Sequence, residues 1–371
     1  MNCMHAFHQV GVEYGFLVKK GRYRMKKIKL TSLYSSILTV GVLASQGVFA
    51  AGELNIFNWG NYTNPELVVK FEKTYDVKVT LTDYDSNDAA LAKIKAGGHG
   101  FDIVVPSANY IPIWISEGLL IETRPDQMEN FGNVSSDWNN PDWDVGRHYS
   151  VPWVWGSVGN VVDTSMYKGD INTSAIFLDP PDELVGKINV PPEMSDVIGM
   201  ALYYVGSEPC TSDKAALKRA SEVLTLAKPK WLSQGYGIIE KFAGRDLGAS
   251  LYWNGAGLRA RQKNSDVRFG YPREGYILWM DNVVVLKDAN NVENAKLFQN
   301  FIMAPENAAL ISNFAKYANG IDGSSAFMGS DLTDAPEVQI PAEHLANGHF
   351  MDTCSPAVNT MYTAIWTELL K

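Results

Sequence analysis

Trp279 and Asp281 stand two residues apart in the run YPREGYILWMD, Tyr271 to Asp281. Side chains of a strand alternate between faces, so this spacing aims an indole and a carboxylate at one side. Together they suit an organic ammonium: the acid supplies counter-charge, and the ring quadrupole attracts the cation even where water is excluded. The same residues also have a plainer reading, in which Trp279 is a half-buried sheet residue and Asp281 opens a turn at Asp281-Asn282.

Three more corners combine aromatic and polar residues. Trp59 and Tyr62 flank one strand end, Ser107 and Asn109 another, and Trp253-Asn254-Gly255 ends a third. Each has its own plain reading, since Trp59 and Trp253 could be core and Ser107 could cap a helix after Pro106.

The elements that would carry these corners follow from periodicity. Leu54 to Trp59 is a short apolar strand, and Pro65 to Tyr75 a helix capped by Asn64 with Leu67, Val68 and Phe71 on one face. Val77 to Leu81 alternates as a second strand, Ala89 to Ala96 is helical, and Phe101 to Val105 is a third strand stopped by Pro106. Strand and helix alternating at this spacing imply a parallel sheet covered by helices, whose ligands bind beyond the carboxyl ends of the strands. Further on, an amphipathic helix runs from Asp213 to Leu226, a strand lies around Leu251 to Trp253, and Val283 to Leu286 is another. Helices Val292 to Met303 and Ala308 to Tyr317 follow.

The amino terminus reads as export machinery. From Met25, taken as the start of translation, Lys26, Lys27 and Lys29 precede an apolar stretch, and Val48-Phe49-Ala50 forms a cleavage site before Ala51. Residues 1–50 are therefore a signal region, and the mature chain is long enough for two lobes. The whole chain carries a net charge of −9, and the leader is basic, so the mature protein is more acidic still. That argues against nucleic acid as a partner and tilts the ligand towards cations. Cleavage leaves Cys210 and Cys354, an even pair in an oxidising compartment that a disulfide could join; they are too far apart in sequence for a zinc motif of closely spaced cysteines.

At these residues the sequence resembles the periplasmic spermidine/putrescine-binding proteins, receptors of polyamine transporters. The resemblance covers nearly all of residues 52–371. It is carried by NIFNWGNY (Asn55 to Tyr62), YDSND (Tyr84 to Asp88), FDIVVPS (Phe101 to Ser107), VPWVWG (Val151 to Gly156), YWNG (Tyr252 to Gly255) and YPREGYILWMD. It implies an α/β fold of the two-lobed, type II solute-binding kind, each lobe a mainly parallel sheet covered by helices, with the ligand cleft between them. Residues 51–152 with about 280–327 would form lobe 1, and 153–279 with about 328–371 lobe 2. Carried over residue by residue, Trp59, Tyr62 and Ser107 look like ligand contacts from lobe 1. Trp253 and Trp279 would wall the cleft, Asp281 would anchor an ammonium, and Tyr317 in FAKYANG would close the site. Glu193 and Asp196 in VPPEMSD match the acids that hold the far end of the amine. Their plain alternative is acids in a helix first turn after Pro191-Pro192, complementing the macrodipole. Gly60, Asn61, Asn109 and Met351 stand where relatives carry a hydroxyl residue, an acid, a tyrosine and a glutamine, departures that would retune which polyamine fits.

The resemblance implies a monomeric receptor without cofactor or metal that closes around a spermidine-like polyamine and presents the closed form to the membrane permease of an ABC transporter. The alternative is a periplasmic norspermidine or spermidine sensor acting on a membrane GGDEF/EAL protein that controls cyclic-di-GMP and biofilm. Catalysis is not expected. There is no G-x-S-x-G elbow, and His99, His148, His344 and His349 fall in no nucleophile or metal pattern. Thiamine, a sugar or ferric ion would suit the fold, but iron asks for clustered tyrosines or histidines with carboxylates rather than Trp-Met-Asp.

Overall fold

The computed structural model describes residues 52–371, so the signal region, its start at Met25 and its cleavage site lie outside the described residues. Ten strands organise the rest: β1 (Gly52–Trp59), β2 (Val77–Tyr84), β3 (Ile103–Val104), β4 (Ser150–Asp163), β5 (Ile188–Val190), β6 (Ser233–Gln234), β7 (Ala249–Trp253), β8 (Val267–Gly270), β9 (Tyr276–Val285) and β10 (Gly348–Phe350). Their order is β2-β1-β3-β9-β4-β7-β5-β6, with β8 added beside β4 and β10 beside β9. The structure is thus α/β and two-lobed. β1, β2 and β3 are parallel in one lobe, and β5, β6 and β7 are parallel in the other.

Two long antiparallel strands join the lobes. β4 pairs with β9 through Ser150 to Ser157, then with β7 and β8 from Val158 onward, so one strand serves both sheets. Crossing strands of this kind let two lobes move as bodies about a shared hinge. Each lobe keeps its own core. Leu54, Phe71, Trp153 and Phe298 pack together in the first, and Phe177, Ile198, Leu251 and Tyr276 in the second.

Local rules explain much of this. Asn64 accepts the Glu66 N–H and Pro65 opens the helix Pro65–Tyr75, as a cap and a pre-set φ should. Asp213 does the same for the helix Lys214–Ala227. Elsewhere long-range contacts override the local reading. The third strand shrinks from Phe101–Val105 to two residues, because the Asp102 carboxylate takes the backbone N–H groups of Asn55, Asn290 and Asn291 and ties the chain down before it can pair further. Nor does the chain turn at Asp281-Asn282. β9 runs straight through, with the Asn282 N–H bound to Pro106 O and its side-chain oxygen to Arg147. The helix expected over Ala308 to Tyr317 spans Pro305–Ala315 and stops at Lys316, whose φ is 65°. Cys210 and Cys354 are joined, tying the loop after the helix Met194–Tyr204 to the segment before the carboxy-terminal helix Pro356–Leu370.

Candidate functional site

A cavity of about 490 Å³ lies between the lobes where β1, β3, β7 and β9 end or cross. All thirteen residues carried over as ligand contacts or departures line it: Trp59, Gly60, Asn61, Tyr62, Ser107, Asn109, Glu193, Asp196, Trp253, Trp279, Asp281, Tyr317 and Met351. The lobes also touch across its mouth. The Tyr236 hydroxyl donates to the carbonyl of Asp85, and the Thr353 hydroxyl to that of Asn109 at 2.8 Å.

Asp281 is the best-held group. It is buried on β9 and accepts from Tyr62 Oη at 2.7 Å and Ser107 Oγ at 2.7 Å. Ser107 is itself positioned by Asn87, which accepts its N–H at 3.0 Å and donates to its hydroxyl at 3.1 Å. Ser107 therefore caps no helix with its side chain, which is spent on Asp281. Burial pushes the Asp281 carboxyl up to about 7 against the pull of the two hydroxyl donors.

The aromatic wall is rigid for identifiable reasons. The Trp59 indole N–H donates to Val105 O at 3.0 Å, and Tyr84 Oη takes the same carbonyl at 2.6 Å. Tyr317 meets Trp279 edge to face at 5.0 Å and Tyr62 at 5.9 Å. Two glycines make room for this packing. A Cβ on Gly156 would lie 2.2 Å from Asn254 Oδ1 and 2.7 Å from the Trp279 ring, and one on Gly255 would lie 2.5 Å from the Tyr317 ring.

The second acid pair sits on the other lobe. Asp196 Oδ2 accepts from the Trp253 indole N–H at 2.9 Å, and burial raises its carboxyl to about 6. Glu193 occupies the N-cap position of the helix Met194–Tyr204 but caps no N–H with its side chain. One of its oxygens accepts from Ser195 Oγ at 3.5 Å; the other is buried without a partner. Burial first, then the charges of Asp196, Asp88 and Asp281, push the Glu193 carboxyl well above the ordinary range. Asp196 does sit in the helix first turn with Glu193 at its N-cap, where their charges complement the macrodipole, but neither side chain caps a helix N–H and both also line the cavity.

Tyr84, Tyr236 and Arg259 also line the cavity and were not singled out from sequence. Tyr84 opens the quoted YDSND run and was within reach. Tyr236 lies flat against Trp253, ring centroids 6.0 Å apart, in a Gly-flanked loop with no motif. Chemically the site offers desolvated carboxylates whose partners are hydroxyls and an indole, set among aromatic faces, an arrangement that stabilises a cation. Among the described residues no group of three or more side chains could hold a metal.

The fold and cleft define a two-lobed solute-binding protein. The model for the bacterial extracellular solute-binding protein family matches residues 66–340, and the chain belongs to that family, one of binding proteins rather than enzymes. It is 27% identical over 317 residues to spermidine/putrescine-binding periplasmic protein 1 of Haemophilus influenzae, covering 85% of this chain and 88% of that one. It is 26% identical to the spermidine/putrescine-binding periplasmic protein of Escherichia coli, covering 93% and 99%. Among solved structures, a putative spermidine/putrescine ABC transporter protein from Listeria monocytogenes superposes with a TM-score of 0.81 at 29% identity over 86% of this chain and 98% of that one. A binding protein from A. tumefaciens holding agropinic acid shares the fold alone, with a TM-score of 0.66 at 17% identity over 86% and 98%. One scaffold thus serves chemically different ligands, and the ligand has to be argued from the side chains.

Proposed function

We propose that this protein is a periplasmic polyamine receptor that closes around a spermidine-like triamine and presents the closed form to a membrane permease. The observation that carries the reading is the placement of buried carboxylates on both lobes of one aromatic cavity, Asp281 on one side and Glu193 with Asp196 on the other. Burying an unpaired carboxylate costs several kcal/mol, and an ammonium at each end removes that cost while the rings cover the methylenes. Asp281 is the principal anchor, Trp59, Tyr62, Trp253, Trp279 and Tyr317 form the walls, and Glu193 and Asp196 measure the ligand's length. Only the closed form touches the amine from both lobes, so binding shifts the population towards closure. The names of the relatives support an ABC transporter as the membrane partner and the periplasm as the compartment; export there would proceed with removal of the signal region, residues 1–50.

A thermal-shift titration of residues 51–371 tests this, with putrescine, cadaverine, spermidine, norspermidine and spermine, and thiamine and glucose as controls. A ligand that binds only the folded state stabilises it by RT ln(1 + [L]/Kd), so melting shifts at equal concentration rank the affinities. Triamines should lead putrescine. Norspermidine leading spermidine would favour the sensor role over transport, and no shift with any amine would refute the reading.

A further inference from the structure

One charge in the cavity has the wrong sign for its neighbours. Arg259 lies on the helix Asn254–Lys263, one turn beyond Gly255 and on the side that meets Tyr317. It lines the same cavity as Asp281, is half-buried, and its Nε is buried with no hydrogen-bond partner. Two residues on, Arg261 is tied to Glu337 by paired hydrogen bonds, whereas Arg259 has no carboxylate partner among the described residues. A guanidinium stays charged at any physiological pH, so this is a permanent cation. Its charge reaches the phenols of Tyr252 and Tyr317, where it opposes the upward push of burial. Tyr317 also feels Asp281, so the guanidinium and the carboxylate act on the same ring.

We propose that Arg259 is a specificity-determining residue, a fixed positive charge on the Tyr317 side of the cleft that ends the run of ammonium groups the site accepts. This rests on the polyamine reading above. Glu193 and Asp196 on one lobe and Asp281 on the other give separate places where ammonium charge is favoured. A linear amine long enough to carry a further ammonium past Asp281 towards Tyr317 brings it up to the guanidinium, in a cavity where Asp281 and Tyr317 are both buried. Like charges at such range repel strongly where the dielectric is low, and a site can discriminate by repulsion of the wrong ligand as effectively as by attraction of the right one. Because Arg259 is held by no carboxylate, its charge is not neutralised before the ligand arrives.

The test is calorimetric titration of wild type, Arg259→Gln and Arg259→Lys with spermidine and spermine, each variant first checked for an unchanged melting profile. Wild type should prefer the triamine. Arg259→Gln should improve spermine by about tenfold relative to spermidine, the order expected for relief of one close charge repulsion. Arg259→Lys, which keeps the charge, should keep the wild-type preference. Equal changes for both amines in Arg259→Gln, or loss of the preference in Arg259→Lys, would overturn the role of the charge. If wild type binds neither amine, the receptor reading itself fails, an outcome distinct from wild-type binding with an unmoved ranking.

Discussion

Asp281 and Glu193 are both buried carboxylates facing one cavity, and the protein treats them differently. Asp281 sits on a ten-residue strand in the middle of the structure, with hydroxyls from Tyr62 and Ser107 each at 2.7 Å. Glu193 sits at the start of a helix on the opposite lobe, with one oxygen loosely met by Ser195 and the other unmet. The first is organised before any ligand arrives; the second is left incomplete. Pre-organised groups give affinity because little is lost in fixing them, whereas an unmet buried acid is a standing cost that the right ligand relieves. On the polyamine reading proposed above, the difference gives Asp281 the anchoring role and Glu193 the discriminating one.

The largest effect should come from breaking the anchor. Asp281→Asn keeps the shape and the acceptor for Tyr62 but removes the charge, and loss of one partner of a buried charge pair costs about 2–5 kcal/mol. Amine affinity should fall by about a thousandfold with circular dichroism unchanged; binding within threefold of wild type would show that Asp281 is only architecture. At the other end, Glu193→Gln with Asp196→Asn should weaken triamines by about tenfold more than putrescine, read by calorimetry. The empty double variant should also melt higher than wild type, because an unmet buried carboxylate has been replaced by neutral amides. Equal losses for diamines and triamines, or a lower melting point, would return these acids to a role in their own helix.

How far this contrast could be read from sequence differs at the two ends. Trp279 and Asp281 announce themselves by period-two spacing, and the Asn64 cap with Pro65 marks its helix by rules that need only neighbouring residues. The switch of β4 from one sheet to the other has no local signature, since Ser150 to Asp163 is almost uniformly buried and its partners lie about a hundred residues further along the chain. β9 looked broken at Asn282 because Asp-Asn is turn chemistry, and only the Arg147 guanidinium, distant in sequence, makes Asn282 a strand residue. Arg259 has no motif at all; a helix that starts at Asn254 carries it to the cavity one turn after Gly255. Motif and resemblance named the acids and rings that line the cavity, and only the fold adds Arg259 to that lining.

The subtlest effect concerns protons, and here the two ends should act together. The carboxyls of Asp281, at about 7, and Asp196, at about 6, are raised above their unfolded range near 4. Glu193 moves the same way. A raised carboxyl binds its proton more tightly in the folded state, so Asp281 and Asp196 add stability at low pH and withdraw it as pH rises from about 4 to about 7. Binding of a polycation has the opposite slope, because it demands the ionised form. Amine affinity should therefore climb between pH 5 and pH 7.5, by up to about tenfold per unit while a single group titrates. Calorimetry in buffers of different ionisation enthalpy should detect protons released on binding at pH 6. The cavity's phenols, Tyr62, Tyr84 and Tyr236, are pushed further up by burial and take no part in this window. Tyr62→Phe sharpens the attribution. Removing one of the two donors that hold the Asp281 carboxyl down should shift the midpoint of the affinity profile upward and weaken binding severalfold at pH 7, with little change at pH 9. A profile that ignores this hydroxyl would place the titrating group at the Glu193 end, and a flat profile in wild type would show that the acids are already ionised before the amine enters.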